Sequence, residues 1–183
     1  HGPYRWQAQD AVLRLAAPAH LYDTRQKKYL GHTAKTTFRL RPGEPQLFAC
    51  LPYRVQTIEL EAPDTVTAGA SLPVQARIVT ADGQPGDHVV HVRLQQQGPA
   101  QRLGFAGDMM LTGGRGEFSV PTAFNDPVGD WRLEVTDALT GVRTEQPLLL
   151  AAAGDTGLPV VRREVTVRRR PRDWPQGTWQ PYS

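Results

Sequence analysis

The side chains in this sequence best suited to acid–base chemistry are six of its aspartates, and glycoside hydrolysis is the reaction that paired carboxylates would perform. That reaction needs two carboxyl groups held about 5 Å or about 6.5–9.5 Å apart. Four of the six stand in turn-like stretches directly beside glycine or proline, where Asp commonly accepts hydrogen bonds from its own backbone. We therefore predict turn formers and no catalytic residue for Asp23, Asp82, Asp87, Asp126, Asp130 and Asp137.

The histidines do not form a recognisable metal motif. His88 and His91 are three apart in a predicted strand, so they point to opposite faces and would not share a metal ion. His20 and His32 flank a predicted hairpin and could approach each other, but spacing supplies no third ligand. His1 resembles the N-terminal copper ligand of copper monooxygenases, although that resemblance covers two residues only. The sequence predicts no metal site and no cofactor.

Nucleophilic catalysis has no support in the residues. Cys50 is the only cysteine, which excludes an internal disulfide, and its apolar run 46–51 predicts a buried, inert thiol. There is no Gly-x-Ser-x-Gly elbow in the sequence. Residues 113–116, Gly-Gly-Arg-Gly, precede a predicted strand, so they indicate a hairpin turn and not a phosphate-binding loop. We expect that the chain is not an enzyme.

The C-terminal tail is the one electrostatic anomaly in a chain of net charge +3, because six arginines face a single acid, Glu164, between residues 162 and 172. Three interpretations stay open: a solvated edge strand, docking onto an acidic surface of a neighbouring domain or subunit, and nucleic-acid binding, which the slightly acidic remainder disfavours. The tail aromatics would anchor such docking or, alternatively, stack on sugars. The docking candidates are Arg162, Arg163, Arg168, Arg169, Arg170, Arg172, Trp174, Trp179 and Tyr182.

Short alternating apolar runs between turn residues predict the fold class. The chain has 183 residues with 17 glycines and 16 prolines, spread at intervals typical of an all-β protein. No apolar run reaches the roughly 18–20 residues needed to span a bilayer. We predict a small β-domain with a leader over residues 1–54, an immunoglobulin-like β-sandwich over 55–152, and an extended tail with one strand over 153–183.

The pattern also predicts individual strands. In the first unit, residues 11–15 form a strand that Pro18 ends, and residues 36–40 alternate with Phe38 and Leu40 inward. In the second unit, residues 72–79 form the clearest strand, and residues 125–141 form a closing hairpin that buries Trp131. About seven strands with turns about every 8–12 residues match immunoglobulin-like spacing.

Two stretches resemble known families. Residues 20–31, HLYDTRQKKYLG, followed by LRPGEP at 40–45 and LPY at 51–53, resemble a "YDvRxgkyLG … PGE … lPY" pattern. That pattern occurs in C-terminal β-domains of large secreted bacterial proteins related to glycoside hydrolases, including β-galactosidase-like ones. The second stretch, with its Asp82-Gly83, Gly113–Gly116 and Gly129-x-Trp131 motifs, is similar to the immunoglobulin-like or macroglobulin-type module that commonly follows it.

The resemblance implies a location and a role. In such proteins catalysis belongs to an upstream barrel, which this sequence lacks, and the β-domains are linkers, spacers or packing modules. We therefore expect a non-catalytic structural or accessory module of a secreted or cell-surface bacterial protein, with other domains or subunits of the same extracellular assembly as partners and no nucleic acid. The alternative is a carbohydrate-binding accessory domain of a glycoside hydrolase.

Overall fold

Eleven β-strands and no helix make up the part of the chain that the computed structural model describes, residues 7–99 and 101–154. The predicted all-β class is confirmed. In that range no helix is long and apolar enough to cross a membrane. The strands are β1 (Gln9–Asp23), β2 (Lys28–Leu40), β3 (Phe48–Leu51), β4 (Val55–Glu61), β5 (Thr65–Thr67), β6 (Ser71–Thr80), β7 (His88–Gln96), β8 (Leu103–Leu111), β9 (Arg115–Pro121), β10 (Gly129–Asp137) and β11 (Arg143–Ala151).

Two sheets built from the strands after residue 54 pack face to face as a β-sandwich. One sheet has the order β4-β6-β9 and the other the order β5-β11-β10-β7-β8. The pair β11–β5 is parallel, whereas the other strand pairs of the two sheets are antiparallel. This arrangement places β6 and β10 in the middle of their sheets, where side chains of one face are covered.

The core of the sandwich follows from the two-residue period of these strands. Along β6, every second side chain is buried, from Leu72 to Ile78. Along β10, Trp131, Leu133 and Val135 are at most 1% exposed. Burying each such side chain contributes about 1.5–3 kcal/mol relative to leaving it in water. The strand predicted at residues 72–79 and the hairpin predicted at residues 125–141 are both confirmed.

β8 is a strand that the sequence pattern missed. It pairs with β7 over residues 103–111 and contains two glycines, which are usually read as turn signals. Here they are packing requirements, because a Cβ on Gly104 would come within 2.7 Å of the Trp131 ring. A Cβ on Gly107 would come within 2.8 Å of the Phe105 ring.

The strands before residue 54 form a separate three-stranded sheet in the order β2-β1-β3. The predicted break at Pro18 is wrong, because β1 continues through it and absorbs it in a register shift between Arg14 and Ala19. Ala11 pairs with Phe38 at one end of the hairpin, whereas Phe48 pairs with the other end of β1. The rings of Phe38 and Phe48 are nevertheless 5.0 Å apart, so the hairpin bends back on itself.

Two expectations about burial in this sheet are also wrong. Leu40 is 42% exposed, because it is the last residue of β2 and faces only Gln9 at the open end of the hairpin. Cys50 is exposed, because β3 is an edge strand that pairs with β1 alone. An apolar run indicates a strand, but it does not say whether the strand lies at the edge of its sheet.

Candidate functional site

A group of hydrogen-bonded polar side chains lies where the three-stranded sheet meets the sandwich. His20 lies in β1 and is 9% exposed, and its Nε2 is 3.2 Å from Oδ2 of Asp82 in the β6–β7 loop. Its other ring nitrogen, Nδ1, is 2.7 Å from the hydroxyl of Tyr29. Asp82 Oδ1 accepts a hydrogen bond of 3.0 Å from the backbone N–H of Arg54. One histidine and one carboxylate therefore connect β1, β2 and the segment leading into β4.

The carboxylate of Asp82 is held in its charged form. The backbone N–H of Arg54 lowers the pKa of Asp82, and this outweighs the opposing effect of desolvation; the hydrogen bond from His20 lowers it further. Asp82 is therefore an anion at neutral pH that binds the segment joining the two β-units.

A second contact at this junction uses Tyr22, whose ring is buried. The backbone N–H of Val55 donates to its hydroxyl over 3.1 Å. Burial raises the pKa of the Tyr22 hydroxyl, and although the Val55 hydrogen bond acts against this, the result is a raised value. Tyr22 thus stays a neutral phenol whose oxygen accepts the first backbone N–H of β4.

A fully buried polar chain lies deeper, between the two sheets of the sandwich. His88 Nδ1 is 2.8 Å from Asp137 Oδ1, and His88 Nε2 is 3.0 Å from the Tyr53 hydroxyl. Asp137 Oδ2 accepts from the Thr140 backbone N–H at 2.8 Å and from the Thr140 hydroxyl. Gly86 N–H donates to the Tyr53 hydroxyl over 2.8 Å. No buried side-chain nitrogen or oxygen of the described residues lacks a partner.

The ionised Asp137 carboxylate can only accept hydrogen bonds, so Nδ1–H of His88 donates to it. The Tyr53 hydroxyl accepts from Gly86 N–H and is hydrogen-bonded to His88 Nε2. Burial by itself would raise the pKa of Asp137, but hydrogen bonds from His88 and Thr140 and the attraction of His88 hold it below its ordinary value.

A hydroxyl, an imidazole and a carboxylate in a row have the composition of a nucleophilic triad, but this one lies in the core. The side chains of His88 and Asp137 are 0% exposed, and Tyr53 is 4% exposed. A general base must come within hydrogen-bond distance of a substrate proton, whereas these groups form hydrogen bonds only with one another, with Thr140 and with the backbone N–H of Gly86. This row of hydrogen-bonded side chains therefore fixes the positions of Tyr53, β7 and the β10–β11 turn relative to each other.

An open groove runs along the surface beside the junction, with a volume of about 400 Å³. The Arg54 guanidinium stacks over the Tyr29 ring at 4.8 Å from its centroid. The Lys27 ammonium donates to the backbone carbonyl of Ala138. The groove thus combines two cationic side chains with tyrosine rings, and its full lining is Tyr22, Lys27, Tyr29, Arg54, Val55, Gln56, Thr140, Gly141 and Val142.

The six predicted turn aspartates divide into three groups in the structure. Asp23 and Asp126 accept hydrogen bonds within their own turns, as predicted. Asp137 does so as well but also bonds to His88, and this partner was not predicted. Asp82 lies in a bend before Gly83, as predicted, but its carboxylate bonds to Arg54 and His20 outside that bend. For Asp87 and Asp130 the prediction is wrong, because Asp87 accepts from Gly113 N–H and Asp130 lies within β10.

The predicted positions of four histidines are confirmed. His88 is buried and His91 is exposed on the opposite face of β7. His20 and His32 are paired across β1 and β2, and their ring centroids are 4.7 Å apart. No group of three potential metal ligands occurs within residues 7–99 and 101–154. His1 lies outside the described residues, as do the nine docking candidates of the tail, Arg162, Arg163, Arg168, Arg169, Arg170, Arg172, Trp174, Trp179 and Tyr182.

The strands and their sheets show that this chain is an all-β protein with a β-sandwich. No protein-family model matches it, and no curated protein matches it significantly. A β-glucosidase from Listeria innocua in complex with glucose is 20% identical over 52% of this chain and 16% of its own, with a TM-score of 0.38.

Two further solved structures are similar to the chain. A CARDB domain from Pyrococcus furiosus in complex with di-metal ions is 15% identical over 52% of this chain and 86% of its own, with a TM-score of 0.36. Escherichia coli alpha-2-macroglobulin activated by porcine elastase is 13% identical over 79% of this chain and 20% of its own, with a TM-score of 0.42. The chain therefore spans a small fraction of the β-glucosidase and of the macroglobulin.

Proposed function

We propose that this chain is a non-catalytic structural module of a secreted or cell-surface bacterial protein, with other domains or subunits of the same assembly as its partners. One observation carries the proposal. The histidines and carboxylates best placed for acid–base chemistry, His88 with Asp137 and His20 with Asp82, form hydrogen bonds that hold strands together. These side chains therefore serve to stabilise the fold.

The role that these contacts support is that of a rigid spacer. The junction is held by the Tyr22–Val55 and Asp82–Arg54 hydrogen bonds and by the Lys27–Ala138 contact between two turns. Each joins the three-stranded sheet, or its exit segment, to a different part of the sandwich. A module built in this way transmits a fixed orientation from one end to the other.

Residual dipolar couplings of the full chain test this role. A rigid spacer requires that backbone amides of β1–β3 and of the sandwich fit one alignment tensor. Asp82→Asn should weaken that agreement, because the amide group replaces a charged acceptor by a neutral one. Asp108→Asn is the matched control, since its carboxylate pairs with the exposed His91 and lies away from the junction. Two unrelated tensors in the wild-type chain would refute the spacer.

A second candidate is the carbohydrate-binding accessory domain, and the groove beside the junction favours it. A volume of about 400 Å³ falls within the range of about 300–1,000 Å³ of small-molecule sites. Arg54 and Lys27 offer donors to hydroxyl or carboxylate oxygens. Titration of the labelled chain with neutral and uronate-containing oligosaccharides separates the two functions. Saturable amide shifts at Gln56 and Gly141 would favour the carbohydrate-binding domain, and unchanged spectra would favour the spacer.

A further inference from the structure

One edge of β1 has no neighbouring strand among the described residues over the first part of its length. β1 lies between β2 and β3 in its sheet, but β3 pairs only with residues 20–23 of β1. Residues 9–14 pair with β2 on one side, and no other described segment forms a backbone hydrogen bond with them. Their second edge therefore presents unpaired backbone N–H and C=O groups, which are a template for another strand.

The side chains along this free edge are open to solvent. Asp10, Val12 and Arg14 share one face of β1, because successive side chains of a strand alternate between its faces, and all three are exposed. Val12 is a large apolar residue that is 49% exposed. Ala11 and Leu13 share the opposite face and are only partly buried. A strand that lay against this edge would cover apolar surface on both faces.

The charge of Arg14 is not neutralised within the described part of the chain. Arg14 lies directly opposite Lys35 of β2, and neither side chain forms an ion pair with any described residue. Like charges directly opposite each other in an antiparallel pair are destabilising. Asp10, by contrast, is 3.1 Å from the guanidinium of Arg39. An acid supplied from outside beside Arg14 would relieve the repulsion.

Residues 10–14, Asp-Ala-Val-Leu-Arg, are complementary to themselves in the antiparallel orientation. A two-fold axis at Val12 places Asp10 of each copy opposite Arg14 of the other, Ala11 opposite Leu13, and Val12 opposite Val12. Residues of the same face then meet, as a continuous sheet requires. Moving the axis by one residue in either direction loses both pairs of opposite charge. Charge and apolar pattern therefore select one register with a second copy.

The other free edge of this hairpin lacks such complementarity. β2 ends the order of its sheet, so it too has an edge without a described neighbour. Its charged residues are Lys28, Lys35 and Arg39, with no acid among them. Basic side chains on an edge strand oppose edge-to-edge association. Of the two edges, that of β1 is the one suited to a second copy.

We propose that the chain forms a dimer with a second copy by antiparallel pairing of residues 10–14 of β1 about a two-fold axis at Val12. The two hairpins then form one continuous sheet in the order β2-β1-β1-β2. Each Val12 is covered by the other, and an Asp10–Arg14 ion pair at either end fixes the register. The inference goes beyond the proposed function, because it names a partner and the residues that bind it, and it stands whether or not the junction is rigid.

Sedimentation equilibrium of the full chain, from micromolar to millimolar concentration, tests the proposal. The wild-type chain should dimerise, and Arg14→Glu should weaken the dimer at least about tenfold, because a carboxylate would then face Asp10 of the second copy at both ends. The same substitution places an acid opposite Lys35, so it favours the hairpin within each copy and opposes only the dimer. Arg115→Glu makes the same charge change at an exposed position of β9 and is the matched control, with an unchanged dissociation constant.

The double variant Asp10→Arg with Arg14→Asp tests the register. It exchanges the two charges, so opposite charges face each other again across the two-fold axis, and the dissociation constant should return to within about threefold of the wild-type value. Failure of this exchange to restore the dimer would overturn the proposal. A wild-type chain that stays monomeric at millimolar concentration would overturn it as well, as would equal dissociation constants for Arg14→Glu and Arg115→Glu.

Hydrogen exchange in the wild-type chain gives a measure that does not depend on any variant being folded. Dimerisation converts exposed edge N–H groups into paired ones, so amides within residues 10–14 should exchange more slowly as the protein concentration rises. Amides in the middle of the sandwich, such as that of Leu133 in β10, should exchange at a rate independent of concentration. Exchange of residues 10–14 that is equally independent of concentration would contradict pairing through β1.

Discussion

His88 Nδ1 lies 2.8 Å from Asp137 Oδ1, with both side chains sealed from solvent. The histidine begins β7 and the aspartate ends the neighbouring β10, so the pair ties the two strands together at one end of the sheet. Tyr53 extends the tie to the segment just before β4 in the opposite sheet. A single polar chain therefore connects both layers of the sandwich to the junction with β1–β3.

Asp137→Asn should destabilise the protein by about 3–5 kcal/mol, because removing one charge of a buried pair leaves the other groups unsatisfied. Asn offers one acceptor oxygen where Asp137 uses two, and its NH₂ group would face the Thr140 donors. Urea unfolding followed by fluorescence measures the change. Asp108→Asn is the control, since the His91–Asp108 pair has the same 2.8 Å distance but is exposed, and it should cost at most about 1 kcal/mol. Similar losses in both variants would contradict a special role of the buried pair.

Acid should remove the stabilisation that Asp137 provides. Its pKa is lowered in the folded protein because hydrogen bonds from His88 and Thr140 outweigh the opposing effect of burial. A lowered folded pKa gives stability that is present above the ordinary carboxyl pKa of about 3.9 and is lost as the pH falls through the folded value. The free energy of unfolding should therefore begin to fall as the pH approaches about 3.9 and should keep falling until the pH is below the folded pKa of Asp137. Asp137→Asn should flatten that fall. If the unfolding free energy of the variant depends on pH in the same way as that of the wild-type chain, other carboxylates cause the acid sensitivity.

Much of the fold was readable from the sequence, because local periodicity decides it. The alternation of Trp131, Leu133 and Val135 between two turn signals predicts β10 and its buried face, and the structure has both. β8 was not readable, because Gly104 and Gly107 report the closeness of the Trp131 and Phe105 rings. The contact of Gly104 with the Trp131 ring of β10 exists only once the sheet has formed, whereas Phe105 and Gly107 are neighbours on one face of β8 itself.

The candidate site was much less predictable than the fold. His88 and Asp137 are 49 residues apart in sequence, and His20 and Asp82 are 62 apart. Each residue alone has an ordinary local explanation, and Asp137 does serve its own turn. What makes these residues a network is the packing of strands from three sheets, which depends on long-range register.

Gly141→Ala should be more costly than a typical glycine substitution. Gly141 has a φ of 77° and an added Cβ would lie 2.3 Å from the Cβ of Lys27, so the β10–β11 turn and the β1–β2 turn would have to separate. Gly43→Ala is the matched control, because its φ is 75° with open space around it. The control should show only the left-handed backbone cost of about 1–2 kcal/mol. The difference between the two unfolding free energies isolates the contact, and equal values would mean that the two turns do not pack tightly.

The Asp82 carboxylate should report the state of the junction through the Arg54 amide. The backbone N–H of Arg54 lowers the pKa of Asp82 more than desolvation raises it, and His20 lowers it further. The junction contact should therefore be intact above the ordinary carboxyl pKa of about 3.9 and break only as the pH falls through the lower folded value. In amide spectra recorded from pH 6 to pH 2, the Arg54 resonance should shift with a midpoint below that ordinary value, and Asp82→Asn should abolish the shift. The Gly113 amide, which donates to Asp87, is the internal control and should titrate unchanged in the variant. A midpoint for Arg54 at or above the ordinary carboxyl value would mean that this hydrogen bond does not hold the junction in solution.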